Sequence, residues 1–531
     1  MAITQIFVCI KNTNRMIEYI ENKLEVFRSK EIIVIFILCA ISLTLRLYFT
    51  RFDFPLESQD AFIYLLQAKE ISEGGLPPPH TFPITYGWQA FLAIIFSPIK
   101  FDENIGYMTI LRITSISISV LTIPIIYKLA GKILEKKYAL LASAFFAFGP
   151  NLIENSIFGI TEPIFIFCGI LSIFFALRNN IRDLILASLF AGFALDIRMN
   201  GIVLFIILTI VCFTKLNTKE QKIKNFLIFL VFFVIASSPF FVQSYVSYGS
   251  PFGFAINLGN AIQTNVAPSL DAAIIDNNLT GKFKIAMAEE FKHIFRISIP
   301  YLVLFVPFGL VILFKNFNYG KKIIFLTIIV SLLVAIPQYT LSLEYRNLFF
   351  ILPFFSIIGA LGIQFILSKN SRKNIFLVLL VGGIILLSYN MLRERNDVDL
   401  ELLEEKEQFG KFVANSFKGK LMGDLYTQIA HHLPDAKLGT KIGEQIRNDE
   451  LILSGFGPPS KTISNTIQYA QQNEITHLII DDKYEARSPE FVEVYFNEED
   501  YSYLEKVFDS TQNGYRKLHV KIFEIDYNKL E

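Results

Sequence analysis

Long apolar runs separated by short charged loops make up the first 392 residues of the chain. Runs of about 17–25 apolar residues are typical of helices that cross a membrane. The run 32–50 follows a basic stretch and has no small-residue cleavage site after it, which favours a retained signal-anchor helix. The pattern predicts eleven membrane spans, near residues 32–50, 106–128, 138–150, 160–177, 184–196, 200–214, 226–246, 297–314, 323–340, 347–367 and 374–392.

The polar sequence Asp196–Gly201 divides the apolar stretch 184–214, which could form one broken span or two short spans. With two spans, the basic loops Lys128–Lys137, Arg178–Arg182 and Lys215–Lys224 all fall on the same side of the membrane as the basic N-terminus. Lysine and arginine are concentrated in cytoplasmic loops. We therefore predict two spans here, a cytoplasmic N-terminus and an extracytoplasmic C-terminal domain.

Two of the predicted spans, 139–149 and 184–195, are too short to cross a membrane completely. Twelve helical residues cover roughly 18 Å, whereas the hydrocarbon core is about 30 Å thick. Polar residues at the outer ends of such helices must face water or pair within the bundle. The sequence therefore predicts a funnel that opens to the outside and has polar residues at its base.

The last part of the chain, residues 393–531, has a different pattern that predicts a small soluble α/β domain on the outer side. The fold class is then mainly α, a polytopic membrane domain over residues 1–392 followed by this domain. Helical patterns are predicted at 393–410, 462–472 and 500–508, and strand patterns at 474–482 and 517–526.

The composition agrees with a membrane protein, because 53% of the residues are hydrophobic and only 18% are charged. The formal net charge of +1 gives no indication of nucleic-acid binding. Three of the four cysteines lie inside apolar runs, so no disulfide framework is predicted. The chain has no Gly-Lys-Ser/Thr phosphate loop, and ATP-driven transport has no support.

Two carboxylates lie at the outer ends of predicted helices. Asp60, in LESQDAFIYLLQAKEI, begins a helix of the first outer loop that we expect to lie in the membrane interface and to end at Gly74. A second apolar helix is expected at 86–97, and Glu162, in FGITEPIFIF, begins the fourth span. Each acid also has a structural interpretation, Asp60 as a helix N-cap and Glu162 as a first-turn carboxylate on the helix dipole.

Two arginines occur on the outer side, where basic residues are scarce. Arg198 lies at the turn between the two short spans, and Asp196 is its alternative structural partner. Arg346, in SLEYRNLFFILPFF, is the only base of its outer loop, and Glu344 beside it could neutralise it. Arginine also suits bidentate phosphate binding. Two carboxylates and two arginines on one side suit a reaction with an anionic leaving group and an acceptor that loses a proton.

Other polar motifs are better explained by structure. Asp397 and Asp399 form an Asp-x-Asp pattern, but nucleotide-binding strands do not surround it, so a solvated acidic helix is the better interpretation. His431 and His432 lack metal-ligand spacing to another histidine or cysteine. His80 also has no metal-ligand spacing to another histidine or cysteine. Its position in the first outer loop nevertheless makes it a candidate residue of the funnel.

In their order and sidedness, these elements resemble the GT-C class of polytopic glycosyltransferases. Similar members of this class include dolichyl-phosphate-mannose protein mannosyltransferases and lipid A aminoarabinose transferases. The resemblance covers about residues 30–370. The matching elements are Asp60 and Tyr64 of the first outer loop, Thr161-Glu162-Pro163 at the start of the fourth span, Arg198 to Gly201, and Tyr345-Arg346 with Pro353 downstream.

The chain departs from the GT-C pattern at two places. Ala61 replaces the second acid of the Asp-Glu-x-x-Tyr element, so its role falls on Asp60 alone or partly on Glu57. Trp88 is the only tryptophan, so the Trp-Trp-Asp element of oligosaccharyltransferases is missing, which argues against that branch.

The resemblance implies an inverting glycosyltransferase. The donor would be a sugar on a polyprenyl phosphate, and the acceptor a protein, lipid or glycan on the outer side of the membrane. The resemblance implies no specific cofactor, and dependence on a divalent cation is left open. The residues implied are Asp60 and Glu162 for catalysis, and Glu57, Tyr64, His80, Arg198 and Arg346 for substrate binding.

Two other functions compete with this interpretation. A transporter would place charges at the membrane midplane, whereas the charges here cluster at outer ends of spans and no inverted repeat is visible. A pseudoenzyme that binds polyprenyl lipids remains an alternative because Ala61 replaces an acid.

Overall fold

A computed structural model of the chain describes residues 30–530, apart from a set of short stretches and one longer stretch. The stretches outside the described residues are 56–57, 76–84, 102, 179, 216–217, 254–278, 316, 341–343, 369–370, 398, 424, 434, 440–444, 456–461 and 483–488. Two of the predicted substrate-binding residues, Glu57 and His80, fall there.

Helices form most of the described chain, and they are numbered here in chain order. The first are α1 Lys30–Phe49, α2 Gln59–Ser72, α3 Gly87–Phe96, α4 Asn104–Ala130, α5 Lys136–Ala147, α6 Pro150–Phe158, α7 Glu162–Ala176, α8 Ile181–Ile197, α9 Ile202–Thr214 and α10 Lys219–Tyr248. They are followed by α11 Leu279–Ser298, α12 Leu302–Leu313, α13 Tyr319–Tyr339, α14 Leu352–Leu367, α15 Lys373–Arg395, α16 Leu400–Ser416, α17 Tyr426–Ala430, α18 Ile463–Gln472 and α19 Pro489–Phe496. Short 3-10 helices at Met199–Gly201 and Tyr345–Ile351 precede α9 and α14.

Several of these helices are suited to cross a membrane. Within the described residues, 6 helices are long and apolar enough, and up to 8 if two bent pairs each form one span. The bent pairs are α6 with α7, at 118°, and α11 with α12, at 108°. The chain is therefore an integral, multi-pass membrane protein. All eleven predicted spans overlap helices, but the count of eleven stays a prediction because the shorter helices do not meet this length criterion.

The polar turn between α8 and α9 is present as predicted. Helix α8 ends at Ile197, and Arg198 is extended. Position 201 requires glycine because an added Cβ atom would lie 2.4 Å from the backbone nitrogen of Leu195.

The prediction that α8 is short was wrong. The Asn180 side chain accepts from the Arg182 amide and starts the helix earlier, so its 17 residues cover roughly 25 Å. Helix α5, with 12 residues, is short.

Helix α2 begins close to the predicted place and is followed by Gly74 with φ of 86°, in the left-handed region. One face of the helix is buried within the protein, and its place in the membrane interface stays a prediction. Phe62 is fully buried, and its ring meets the ring of His431 edge to face at 4.2 Å. Gln59 donates a hydrogen bond to the Tyr426 hydroxyl. The C-terminal domain therefore covers part of α2.

The C-terminal domain is built on a seven-stranded sheet with the order β2-β3-β4-β1-β5-β7-β6. The three strands at its centre, β4, β1 and β5, are parallel, and the flanking pairs are antiparallel. The strands are β1 Gly419–Gly423, β2 Lys437–Leu438, β3 Ile446–Arg447, β4 Leu451–Ser454, β5 His477–Asp481, β6 Leu504–Asp509 and β7 Val520–Ile525.

One secondary-structure prediction for this domain was wrong. The stretch 500–508, predicted as a helix, contains most of strand β6, which pairs antiparallel with β7. Pairing buries Leu504 and Phe508 at either side of a bulge, and this tertiary contact overrides the local helical pattern. The strands predicted at 474–482 and 517–526 are present as β5 and β7.

The apolar core is continuous between the membrane helices and the C-terminal domain. A single cluster of buried side chains contains Leu65 of α2, Leu111 of α4, and Leu421 and Ile429 of the C-terminal domain. The opposite face of the sheet has a separate core around Phe491 and Phe523. The C-terminal domain is thus packed against the outer loop, and the domain boundary at 392/393 stays a prediction.

Candidate active site

Four separate elements bring charged side chains together at one place. These are the first turn of α2, the first turn of α7, the turn after α8, and the 3-10 helix Tyr345–Ile351. Each places a polar residue where a helix begins or ends, so the charge can leave the apolar core without breaking a helix. The residues are Asp60, Glu162, Arg198 and Arg346, all of which the sequence analysis selected.

Arg346 is held between carboxylates. Its Nη2 atom lies 2.5 Å from Oδ2 of Asp60, and its Nε atom donates a hydrogen bond to Glu344. The same Nε atom lies 4.0 Å from Oε1 of Glu162. Glu344, the structural partner that the sequence suggested for Arg346, does form an ion pair with it. Asp60 forms a second ion pair with the same guanidinium.

Arg198 pairs with Glu162. Its guanidinium donates to the Glu162 carboxylate, to Oγ1 of Thr161 at 3.0 Å and to Oδ1 of Asn347 at 3.0 Å. The predicted alternative partner, Asp196, was therefore wrong. Since Arg198 is extended rather than helical, its side chain leaves the direction of α8 and reaches the start of α7.

The two catalytic candidates differ in exposure. The Glu162 side chain is only 2% exposed, whereas the Asp60 side chain is 36% exposed. Glu162 lies in the first turn of α7, where the helix dipole and Arg198 both stabilise its charge. The Asp60 carboxylate is therefore open to a bound molecule, whereas the Glu162 carboxylate is enclosed by its neighbours.

The N-cap interpretation of Asp60 was wrong. The N-cap position of α2 belongs to Ser58, which makes no side-chain capping hydrogen bond, and Asp60 is the second helical residue. Its carboxylate is directed to Arg346 instead. The position of Asp60 in the first turn thus serves the ion pair rather than the backbone of its own helix.

Tyr64 follows Asp60 by one helical turn and is almost completely buried. Burial raises the pKa of the Tyr64 phenol, and the nearby Asp60 and Glu162 charges raise it further, against Arg198 and Arg346. The phenol therefore keeps its proton and can donate a hydrogen bond beside Asp60.

The surroundings contain polar residues that the sequence analysis did not select as site residues. Thr161 and Asn347 are neighbours of Glu162 and Arg346 in the chain, and both bind Arg198. Gln59 and Tyr426 join the Asp60 helix to the C-terminal domain. Thr161, Asn347 and Gln59 could have been predicted because each is next to a selected residue in the chain. Nothing in the sequence around Tyr426 indicates that it contacts the site.

The described residues contain no group of three or more His, Cys, Asp or Glu side chains placed to hold a metal ion. The guanidinium of Arg346, rather than a cluster of acids alone, lies between Asp60 and Glu344. His431, set aside as a metal ligand on spacing, packs against Phe62. Asp399 of the Asp-x-Asp motif caps α16 and pairs with Lys517 at 3.0 Å, which is a structural role.

Comparisons with known proteins agree on the fold. The sequence model of the family described as dolichyl-phosphate-mannose-protein mannosyltransferase matches residues 103–242. The structure of ArnT from Cupriavidus metallidurans bound to undecaprenyl phosphate is similar, with a TM-score of 0.60 and 10% identity over 92% of this chain and 97% of that chain. The chain has the GT-C fold.

Two further structures share the GT-C fold with the chain. The Archaeoglobus fulgidus oligosaccharyltransferase in the apo form has a TM-score of 0.55 and 11% identity over 86% of this chain and 70% of that chain. The archaeal oligosaccharyltransferase AglB from the same organism, with an inhibitory peptide and a dolichol-phosphate, has a TM-score of 0.52 and 12% identity over 86% and 70%. Comparison with curated protein sequences gives no match. The GT-C resemblance predicted from the motifs is confirmed.

Proposed function

We propose that this chain is a glycosyltransferase that moves a sugar from a polyprenyl-phosphate-linked donor to an acceptor on the outer side of the membrane. The observation that carries the proposal is the meeting of Asp60, Glu162, Arg198 and Arg346 at the ends of helices in a GT-C fold. The ArnT structure contains undecaprenyl phosphate, and the AglB structure contains a dolichol-phosphate together with a peptide. These ligands support a donor of this class.

Asp60 is the proposed general base. In an inverting displacement, the acceptor hydroxyl or amine attacks the anomeric carbon, the bond from that carbon to the phosphate oxygen breaks, and the acceptor proton passes to a carboxylate. Asp60 suits this step because its side chain is partly exposed, whereas the Glu162 side chain is not. The neutral phenol of Tyr64 can donate a hydrogen bond to a substrate oxygen nearby.

Arg346 is the proposed ligand of the donor phosphate. A guanidinium presents a planar fork of N–H groups that matches phosphate oxygens and stabilises the charge of the departing phosphate. Asp60 and Glu344 already form ion pairs with these N–H groups of Arg346. A donor phosphate would therefore compete with both carboxylates for the guanidinium. Donor binding would then loosen the Asp60–Arg346 pair and leave the carboxylate freer to take a proton.

Glu162 and Arg198 form the rigid floor of the proposed site. The pair connects α7 with the turn after α8, and Arg198 extends it to Asn347, the residue after Arg346. Glu162 therefore acts on the reaction by fixing where Arg346 lies, and its charge at 4.0 Å keeps that guanidinium oriented.

The test is a transfer assay with the purified protein in lipid nanodiscs. Radiolabelled polyprenyl-phosphate sugars are offered singly with a membrane extract, beginning with a mannose donor because of the matched family. We expect label to move from the lipid to an acceptor fraction with the parent and not with Asp60→Asn. Arg346→Ala should raise the KM for the donor, and Arg346→Lys should restore it partly, since an ammonium lacks the fork. No transfer from any donor by the parent would reject the function.

A further inference from the structure

The charges of the proposed site do not balance. Among the described residues, the ion pairs join three carboxylates, of Asp60, Glu162 and Glu344, to two guanidiniums, of Arg198 and Arg346. With these groups ionised the cluster has a formal charge of −1. A donor phosphate adds further negative charge, so a cation that the cluster has not already paired would favour its binding.

Arg296 is a guanidinium that contacts the residue before Arg346 and forms no ion pair with a carboxylate among the described residues. It belongs to the last turn of α11, is exposed, and stacks over the ring of Tyr345 with its central carbon 4.6 Å from the ring centroid. Tyr345 directly precedes Arg346. The guanidinium of Arg296 therefore contacts the residue next to the proposed phosphate ligand.

We propose that Arg296 is a second phosphate-binding residue, which clamps the donor phosphate together with Arg346. This inference rests on the proposed function. A guanidinium that lies over an aromatic ring can still present its N–H groups to a phosphate, and the guanidinium of Arg296 donates no hydrogen bond to another described residue. The ring also holds the long side chain in place, so less conformational entropy is lost when phosphate binds.

The bent pair of helices α11 and α12 explains how Arg296 reaches this position. The chain turns by 108° just after α11, and α11 packs across the 3-10 helix that contains Tyr345 and Arg346. His293, one turn earlier, contacts the Tyr339 hydroxyl at 3.1 Å and is buried. This contact fixes the rotation of α11 and hence the side on which Arg296 lies.

A purely structural role for Arg296 is the alternative, because a cation in the last turn of a helix is stabilised by the helix dipole. The two roles differ in what they change. A dipole contact affects the melting temperature, whereas a phosphate ligand affects the donor KM and the affinity for the polyprenyl phosphate. Lys292, one turn earlier on α11, is the matched control because it is an exposed cation paired with Glu289 at 3.3 Å.

The experiment measures sugar transfer and lipid binding for the parent, Arg296→Ala, Arg296→Lys, Tyr345→Leu and Lys292→Ala in nanodiscs of zwitterionic lipid. The binding probes are undecaprenyl phosphate and dolichol phosphate. Arg296→Ala should raise the donor KM by about tenfold or more with a nearly unchanged kcat, the scale expected for one charged hydrogen bond. Arg296→Lys and Tyr345→Leu should lose part of the affinity, and Lys292→Ala none.

The outcomes separate the inference from the function on which it rests. If the parent transfers sugar and Arg296→Ala keeps the donor KM and the polyprenyl-phosphate affinity of Lys292→Ala, the inference is wrong while the function stands. If adding an anionic phospholipid abolishes the difference between these two variants, Arg296 binds lipid headgroups in general, and the donor clamp is also wrong. If the parent transfers no sugar yet Arg296→Ala selectively loses polyprenyl phosphate, the phosphate site stands and the transferase function fails.

Discussion

The Nη2 atom of Arg346 lies 2.5 Å from Oδ2 of Asp60. This ion pair joins the proposed phosphate ligand to the proposed general base, although 286 positions separate the two residues in the chain. If a donor phosphate binds Arg346 as proposed, it competes with Asp60 for the guanidinium, and the pair then couples phosphate binding to the release of the carboxylate.

The first prediction concerns Asp60. Asp60→Asn should lower sugar turnover by roughly 10² or more, because an amide cannot accept the acceptor proton. Glu344→Gln is the control, since it also removes one carboxylate from Arg346 but leaves Asp60 intact. Turnover by both variants is measured with one labelled donor. Equal activity of Asp60→Asn and Glu344→Gln would contradict a base at this position.

The second prediction concerns the buried pair of Glu162 and Arg198. Arg198→Gln should destabilise the protein by about 3–5 kcal/mol, because it leaves a buried carboxylate without a counter-charge. The double variant Arg198→Gln with Glu162→Gln should recover much of this loss, since no unpaired charge remains. Thermal unfolding in detergent provides the measurement. A double variant no more stable than the Arg198 single variant would mean that the pair is not coupled.

The membrane helices and the charged residues of the site were predictable because their signals are local. Hydropathy depends on consecutive residues, and the polar sequence Asp196–Gly201 interrupts it at the turn that the structure contains. Arg198 and Arg346 could be selected because a charge at the end of an apolar run has few structural explanations. The selection required no knowledge of which helices touch.

The partners of these residues were not predictable because they depend on contacts distant in sequence. Arg198 binds Glu162, 36 positions away, rather than the adjacent Asp196. Strand β6 forms because β7 pairs with it, and the local pattern of 500–508 does not contain that information. The cover over α2 arises from the docking of the C-terminal domain, which decides whether an apolar helix faces lipid or protein.

The third prediction is a pH dependence that arises from His431, which lies outside the membrane-spanning helices. Burial, together with the neighbouring charges of His432 and Arg112, lowers its pKa from 6.5 to about 3. Below pH 6.5 the unfolded chain therefore takes up a proton that the folded chain refuses, so stability falls as the pH falls from 6.5 toward 3.

Each pH unit in that range should cost up to about 1.4 kcal/mol through His431. Unfolding is compared at about pH 7.5 and about pH 5.5 for the parent and His431→Gln. The loss on acidification should be smaller for His431→Gln than for the parent. An equal loss for the parent and His431→Gln would remove His431 as the cause.

The fourth prediction is the orientation, which the basic loops indicate. Ser464 lies exposed on α18 of the C-terminal domain, and Glu220 lies exposed at the start of α10 after a basic loop. In intact cells, a membrane-impermeant thiol reagent should label Ser464→Cys and not Glu220→Cys, in a variant without the native cysteines. Labelling in permeabilised cells controls for reactivity. The reverse pattern in intact cells would invert the predicted topology.

The fifth prediction concerns Tyr426, whose hydroxyl accepts a hydrogen bond from Gln59, the residue before Asp60. Tyr426 follows strand β1, so this bond fixes the first turn of α2 to the sheet of the C-terminal domain. Tyr426→Phe keeps the ring and removes the bond, so we expect a stability loss of about 1 kcal/mol. If the bond positions Asp60, turnover should also fall severalfold while the donor KM stays constant.

The matched control for Tyr426→Phe is Tyr527→Phe. The Tyr527 hydroxyl donates to the Ile475 carbonyl oxygen at 2.6 Å inside the same domain, away from α2. Both variants lose one hydrogen bond, so their melting temperatures should fall by similar amounts, but only Tyr426→Phe should lower kcat. Gln59→Leu should reproduce the kcat effect and add little in combination with Tyr426→Phe, since both remove the same contact. Equal turnover of the two tyrosine variants would limit the C-terminal domain to covering α2, without a role in placing the catalytic carboxylate.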